Sequence, residues 1–322
     1  MGEGRVSAPE RNLSIVIPVY NRAELVGRTL RSIVAQERIA EVDIIIVDNN
    51  STDNSLEILE NFAREQKTHG LKVKVVSETK PGATAARNTG LREVATPYVM
   101  FFDSDDTMNA GLIKSVLEEI ESGAGSDLII WRIKIQLPDK TFRKSYFKPG
   151  VDLLYAHTLH SVLSTQRYAA KCALIRRSGP WDENLPCWND LEMGVRLLIE
   201  KPVVSYLESE EPPVTTWYSE KSITSENKDE AIGNRALALD QCEKAYRKAG
   251  SQAGVNWVNV RRAILAADYR KKGSKAAAKQ LMSQALTGND AATRMKIKAL
   301  YLKQRLYPRG TGRVAYCLFS KK

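Results

Sequence analysis

Val99-Met100-Phe101-Phe102-Asp103-Ser104-Asp105-Asp106 is a short apolar run of strand formers that ends in three carboxylates within four positions. Three acids this close repel one another and resist dehydration, so they stand where a cation, a hydroxyl-rich ligand or water compensates them. Oxygen-only donors suit a hard divalent ion such as Mg²⁺ or Mn²⁺, which usually shares its coordination with substrate phosphates. Taken alone, so short a tetrapeptide reads more simply as a solvated turn with a helix cap. What surrounds it decides between the two.

Upstream, three more apolar runs alternate with segments of helical period. Leu13 to Val19 is a compact strand containing Pro18 and followed by Tyr20-Asn21; a helix carrying Leu25, Val26, Leu30, Ile33 and Val34 comes next. Val42 to Val47 is nearly all apolar, as a strand covered on both faces must be, and Asp48 to Asp53 supplies N-caps for a helix bearing Leu56, Leu59 and Phe62. Leu71 to Ser77 reads as the third strand, Lys80-Pro81-Gly82 as a turn, Ala83 to Val94 as a helix and Tyr98 to Phe102 as the fourth strand. Such alternation predicts a mainly parallel, doubly wound α/β sheet with right-handed crossovers. Ligands of these sheets lie outside the carboxyl ends of the strands. Pro18 to Asn21, Asp48, Lys80 to Asn88 and Asp103 to Asp106 all follow strand ends and should line one crevice.

Further on, Asn109 to Ile120 is expected to be a helix, Asp127 to Ile135 one strand, and Pro138 to Pro149 a polar connection. Val151 to Leu163 again has helical spacing, and a helix opens near Asn189-Asp190-Leu191-Glu192. Ser219 to Glu230 is polar without period and reads as a loop or linker. Helical patterns then cover Ala231 to Ala249, Val255 to Lys271, Lys275 to Leu286 and Ala291 to Leu306.

The chain has 322 residues and a net charge of +10, but from Ser251 to the end 16 Lys and Arg face only Asp268 and Asp290. The first 250 residues are therefore net acidic, and two regions of opposite charge point to different partners. Four scattered cysteines without a C-x-x-C pair argue against a zinc knuckle or a disulfide framework and favour a reducing, cytoplasmic compartment. No apolar stretch reaches the length of a membrane span.

Five blocks, in order, resemble the family 2 glycosyltransferases of GT-A fold: Ile-Val-Ile-Pro-Val-Tyr-Asn (15–21), Val-Asp-Asn-Asn-Ser-Thr-Asp (47–53), Gly-Ala-Thr-Ala-Ala-Arg-Asn-Thr-Gly-Leu (82–91), Phe-Phe-Asp-Ser-Asp-Asp (101–106) and Asn-Asp-Leu-Glu (189–192). The resemblance implies transfer of a sugar from a nucleotide sugar, usually a UDP sugar, to an acceptor hydroxyl with inversion. It implies a GT-A nucleotide-binding domain over 13–224, with 13–106 the nucleotide-sugar half and 107–224 the acceptor half. A flexible N-terminus would occupy 1–12 and a basic helical region 225–322. Residue by residue, Pro18, Tyr20 and Asn21 match the nucleotide-binding turn, Asp48 the acid that accepts from the base, and Arg87 and Asn88 a segment near the nucleotide. Asp103 and Asp105 match the D-x-D acids that hold the ribose and an Mn²⁺ or Mg²⁺ ion, with the division among Asp103, Asp105 and Asp106 left open. Asp190 matches the general base, although Asn189 stands where the family usually carries Glu.

Other sites read less well. An EF-hand loop starting at Asp103 would need Gly and Glu where Met108 and Lys114 stand. His157 and His160 lack a third ligand, and Gly310-Thr311-Gly312 has no room beyond it for a βαβ unit. For the basic C-terminal region two readings stay open: a helical appendage with solvated charges, or a patch that docks at the anionic inner face of a membrane beside a glycan or lipid-linked acceptor. Nucleic acid ranks below both, since no aromatic platform or zinc motif accompanies the charge. Against the enzyme stands a catalytically silent module that keeps the fold and uses its basic helices to bind an acidic glycan, membrane or nucleic acid.

Overall fold

A computed structural model of the protein describes residues 11–145, 150–218 and 228–319. The expected flexible N-terminus lies outside them up to residue 10, and the polar stretch from Ser219 lies outside them up to residue 227. The described chain forms two compact units: 11–145, 164–184 and 202–218 make the first, and 150–163, 185–201 and 228–319 the second.

The first unit begins with β1 (Leu13–Val19), α1 (Val26–Val34), β2 (Val42–Asp48), α2 (Ser55–Thr68), β3 (Lys72–Ser77), α3 (Ala83–Arg92) and β4 (Tyr98–Phe101). Then come β5 (Thr107–Met108), α4 (Leu112–Glu121), β6 (Leu128–Trp131), β7 (Ile133–Gln136) and β8 (Phe142–Lys144). After α5 (Leu153–His160), which belongs to the second unit, the chain returns as β9 (Tyr168–Lys171) and α6 (Cys172–Ser178). It leaves again for α7 (Asn189–Ile199) and comes back as β10 (Val204–Leu207) and β11 (Val214–Thr216).

Seven strands make one sheet in the order β10-β6-β9-β4-β1-β2-β3. All neighbours are parallel except β9, which runs antiparallel between β4 and β6. β1, β2 and β4 are buried along their whole length, as expected of strands with helices on both faces, whereas β3 alternates exposed and half-buried positions at the sheet edge. From β1 the chain steps through β2 and β3 in one direction, then crosses back to place β4 on the other side of β1. The sheet thus has its topological switch point between β1 and β4, where such folds open a crevice.

The expected single strand from Asp127 to Ile135 is two strands in two sheets. β6 lies in the large sheet, whereas β7 joins a smaller one of order β5-β11-β7-β8, and the break falls at Arg132. The physical reason is a change of pattern: Leu128 to Trp131 is buried on both faces, but Ile133 to Gln136 alternates apolar and polar and has one face to cover. Trp131 is anchored by its indole N–H on the Gln166 carbonyl at 3.0 Å. β8 lies within the stretch expected to be only a polar connection.

Close packing of α3 on the sheet is set at Gly90. A Cβ there would lie 2.3 Å from Val16 Cγ1 and 3.1 Å from Val47 Cγ2. Gly90→Ala is therefore expected to destabilise the protein by about 1–3 kcal/mol, since the helix must lift from β1 and β2. Thermal or urea unfolding measures this directly; an unchanged midpoint would mean that the contact relaxes freely.

The second unit adds α8 (Lys228–Lys248), α9 (Gln252–Lys271), α10 (Lys275–Leu286), α11 (Ala291–Leu306) and α12 (Thr311–Phe319) to α5 and α7. Its core includes Leu191, Leu239, Tyr246, Val258, Ala266 and Leu281. The buried Arg262 guanidinium is paired with Asp240 at 2.7 Å and with Glu243, so its charge is compensated inside the unit. His157 is a packing residue: Leu163 N–H donates to Nδ1 at 3.0 Å, which leaves the Nε2 proton for the Leu191 carbonyl at 2.9 Å. The Gly-Thr-Gly of 310–312 leads into α12, which hydrophobic period alone did not reveal. A Cβ on Gly312 would sit 2.8 Å from His160 Nε2, and Tyr155 donates to the Gly312 carbonyl at 2.7 Å.

Candidate active site

The carboxyl ends of β4, β1, β2 and β3 lie side by side, with Val19 in register with Asp48 and Asp48 in register with Ser77. Pro18 is buried within β1, and Tyr20 immediately after it is 55% exposed, its ring open on this edge. Asn21 takes the left-handed conformation at φ 49°, which Asn tolerates better than most residues. Its side-chain carbonyl accepts from Thr52 N–H at 2.8 Å, and its backbone N–H donates to Ser51 Oγ at 3.1 Å. The turn after β1 is thereby fixed to the loop after β2.

Asn49 extends the same bracing to β3. Its backbone N–H donates to the Val19 carbonyl at 2.7 Å, and its side-chain NH₂ to the carbonyls of Glu78 and Lys80 at 3.0 and 2.7 Å. Its side-chain oxygen accepts from Gly82 N–H at 2.8 Å. Asp48, 3% exposed, spends one carboxylate oxygen on Ser51 N–H at 3.2 Å; the other, Oδ1, is buried without a hydrogen-bond partner among the described residues. A buried acceptor left unpaired is costly, and an incoming N–H would relieve it.

The three acids after β4 have three environments. Asp103 and Asp105 are half-buried: Arg87 Nη2 reaches Asp103 Oδ1 at 2.9 Å, and Arg22 Nε lies 3.6 Å from Asp105 Oδ2. Arg28 donates to the Asp105 carbonyl at 2.7 Å, and Thr29 to those of Ser104 and Asp106 at 2.9 and 2.7 Å, so α1 shapes the loop. Asp106 is turned inward, accepting from Gln166 Nε2 at 2.7 Å and from Trp217 N–H at 3.0 Å. Burial, and then the charge of Asp103, pushes the Asp105 carboxyl above its ordinary value. Burial followed by its two acidic neighbours pushes Asp106 well above. Asp106 is therefore a latch on the strand-end loops, and the pair open to a ligand is Asp103 and Asp105.

No group of three or more metal-type side chains occurs among the described residues. Two hard carboxylates that repel each other still fit a divalent ion of the Mg²⁺ class, which characteristically takes one or two carboxylates and completes its sphere with phosphate and water. The donor set thus suits a metal that arrives with a diphosphate.

Arg87 is stacked over the Trp181 ring at 4.8 Å while it pairs with Asp103. Asn88 faces the same loop: its NH₂ donates to the Trp181 carbonyl at 3.0 Å and to Glu183 at 2.7 Å, and its oxygen accepts from Trp181 N–H at 2.9 Å. Lys80 closes on Glu183 at 2.6 Å. Asn88 braces the loop 181–183, with its amide taken up by that loop. Arg22, Trp181 and Glu183 were missed by motif reading, because single residues in loops carry no periodic signal.

Asp190 stands in the second unit, in the first turn of α7, half-buried, with Oδ1 accepting from Leu191 N–H at 2.9 Å. Trp188, left-handed at φ 55°, turns the chain into the helix and is flanked by Arg261 and Arg235, whose guanidinium carbons lie 4.7 and 5.6 Å from its ring centre. Burial lowers the Arg261 pKa to about 10, and the Asp190 charge acts against that shift. Asn189 uses its amide on the Leu185 carbonyl at 3.3 Å.

The sequence model described as Glycosyl transferase family 2 matches residues 14–179, just over half of the chain. The chain belongs to glycosyl transferase family 2. Among curated family relatives, the uncharacterized glycosyltransferase EpsJ of Bacillus subtilis (strain 168) is 24% identical over 210 residues, covering 61% of this chain and 58% of its own. The poly(ribitol-phosphate) beta-N-acetylglucosaminyltransferase TarS of Staphylococcus aureus (strain Mu50 / ATCC 700699) is 27% identical over 160 residues, 48% of this chain and 27% of TarS. The chain therefore spans less than two thirds of either relative's length. The crystal structure of S. aureus TarS 1-349 in complex with UDP-GlcNAc superposes with a TM-score of 0.70 at 18% identity, covering 96% of this chain and 90% of that one. The α/β GT-A fold is common to the two.

Proposed function

We propose that this family 2 protein transfers a sugar, with inversion and the help of a divalent metal, from a nucleotide sugar of the UDP type to a hydroxyl of a glycan or lipid-linked acceptor in cell-surface polysaccharide or glycoconjugate synthesis. The observation that carries the reading is the buried Oδ1 of Asp48, without a partner among the described residues, at the same carboxyl edge of the sheet as the half-buried pair Asp103 and Asp105. An acceptor atom that lacks a donor matches an N–H of uracil, and two neighbouring hard acids match a metal-bound diphosphate and its ribose. The uridine nucleotide bound by TarS and the ribitol-phosphate polymer in its name support both the donor and the class of acceptor.

In this reading Tyr20 offers its exposed ring to the base, Asn21 holds the turn beneath it, and Asp103 takes ribose hydroxyls. Asp103 and Asp105 would hold Mn²⁺ or Mg²⁺, which when bound neutralises charge on the departing diphosphate. Arg87 adds a fixed positive charge near the same group. Asp190 takes the acceptor proton as the hydroxyl oxygen attacks the anomeric carbon from the face opposite the leaving group.

Release of UDP from a panel of nucleotide sugars with Mn²⁺, with and without acceptor glycans, tests the reading; a silent binding module would release none. Asp48→Ala is expected to weaken UDP binding about 10- to 100-fold through loss of a charge-assisted hydrogen bond. Calorimetry reads this, and unchanged affinity would remove Asp48 from the base site.

A further inference from the structure

α11 carries apolar side chains on two opposite faces. Ile297 and Leu300 are buried in the helical unit, but Met295, Leu302 and Leu306, at i, i+7 and i+11, stand on the opposite face 69, 51 and 68% exposed. Tyr307, the residue that ends the helix, is 75% exposed. Beside it a groove of about 840 Å³ runs between α10 and α11, with Met282, Leu286 and Leu302 in its lining. Lys275, Lys279, Lys298 and Arg305 also line the groove, all of them exposed. Among the described residues none of these four has an acidic partner. The two acids of this part of the chain are already engaged: Asp268 accepts from Gln304 at 2.9 Å, and Asp290 caps α11 through Thr293 N–H at 2.8 Å.

We propose that this face of α10 and α11 docks on the surface of an anionic lipid bilayer. Cations around an apolar strip match the two layers of such a surface, the lysines and Arg305 meeting lipid phosphates while Leu302 and Leu306 enter the boundary between headgroups and acyl chains. A soluble polyanion would satisfy the charges and leave the strip in water. A second copy placed face to face about a two-fold axis would bring like charges together. Among the described residues no helix is long and apolar enough to cross a membrane, so the contact is with the surface. The proposal stands apart from the transferase reading, since binding needs neither donor nor metal.

Flotation of the full-length protein with vesicles of phosphatidylcholine alone, or of phosphatidylcholine mixed with phosphatidylglycerol, tests it. Binding is expected to the mixed vesicles only and to weaken as salt rises. Each cation removed should weaken binding about fivefold, so Lys279→Ala/Lys298→Ala/Arg305→Ala should lose about 100-fold. Leu302→Asp/Leu306→Asp, at exposed positions that the fold does not need, should also lose binding while keeping the wild-type melting temperature. No binding to mixed vesicles would overturn the proposal, as would equal binding to neutral ones. So would loss in the cation variant with none in the leucine variant, which would mark a site for soluble polyanions, or a wild-type dimer that Leu302→Asp/Leu306→Asp dissociates.

Discussion

Asp190→Asn is expected to lower sugar transfer about 100- to 10,000-fold, the usual contribution of a positioned general base. The substitution keeps the shape of the side chain and the oxygen that accepts from Leu191 N–H, so the first turn of α7 is retained. What is lost is the ability to take a proton. UDP affinity should stay nearly unchanged, because the strand-edge residues bind the donor in this reading. Acceptor-dependent UDP release and calorimetry on the same preparation separate the two effects. Full turnover in the variant would remove Asp190 from the chemistry, and a parallel loss of UDP affinity would make it a donor-binding or structural residue instead.

The second large effect is expected at Asp105. Asp105→Ala should lower the affinity for Mn²⁺ with UDP about 10- to 100-fold or more and make UDP binding insensitive to added metal. The expectation rests on the surroundings of the carboxyl, where burial and the neighbouring Asp103 charge raise the Asp105 pKa. A raised carboxyl pKa means that the folded protein holds the proton more tightly than the unfolded chain. This contribution to stability is present at acid pH and is lost as pH rises through the raised value. A dication reverses that penalty by displacing the proton. The gain in melting temperature from Mn²⁺ and UDP should therefore grow as pH rises across the Asp105 titration in the wild type, and shrink in Asp105→Ala. A metal response that is the same in both proteins would exclude the D-x-D pair from metal binding.

The nucleotide half of the fold is legible in the sequence because β1, β2 and β4 are compact, mostly apolar runs, ended by residues that cannot be buried without partners. Asp48, Asp103 and Asp105 stand out for that reason, and the structure sets their strands, β2 and β4, on either side of β1. Less legible is whatever depends on a single side chain meeting a distant one. Asp106 looks like its two neighbours in sequence, and only the approach of Gln166 and Trp217 turns it inward. Asn88 matches a nucleotide-binding segment, yet its amide is taken up by the loop 181–183. The division at Arg132 does have a signal, the change from unbroken to alternating apolar residues, and reading the stretch as one strand averaged the two patterns. α12 is short and its first residue stands between two glycines that loosen local preference, so packing around Gly312 defines it more than period does.

Asn49 touches the carbonyls of Val19, Glu78 and Lys80 and the amide of Gly82, and in doing so joins three loops that sequence separates. Thermal displacement of any one of them must carry the other two along, so the rim behaves as a single stiff body. In the proposed reading little ordering entropy then remains to be lost when a base enters, and selectivity at Asp48 would be expressed without a preceding rearrangement.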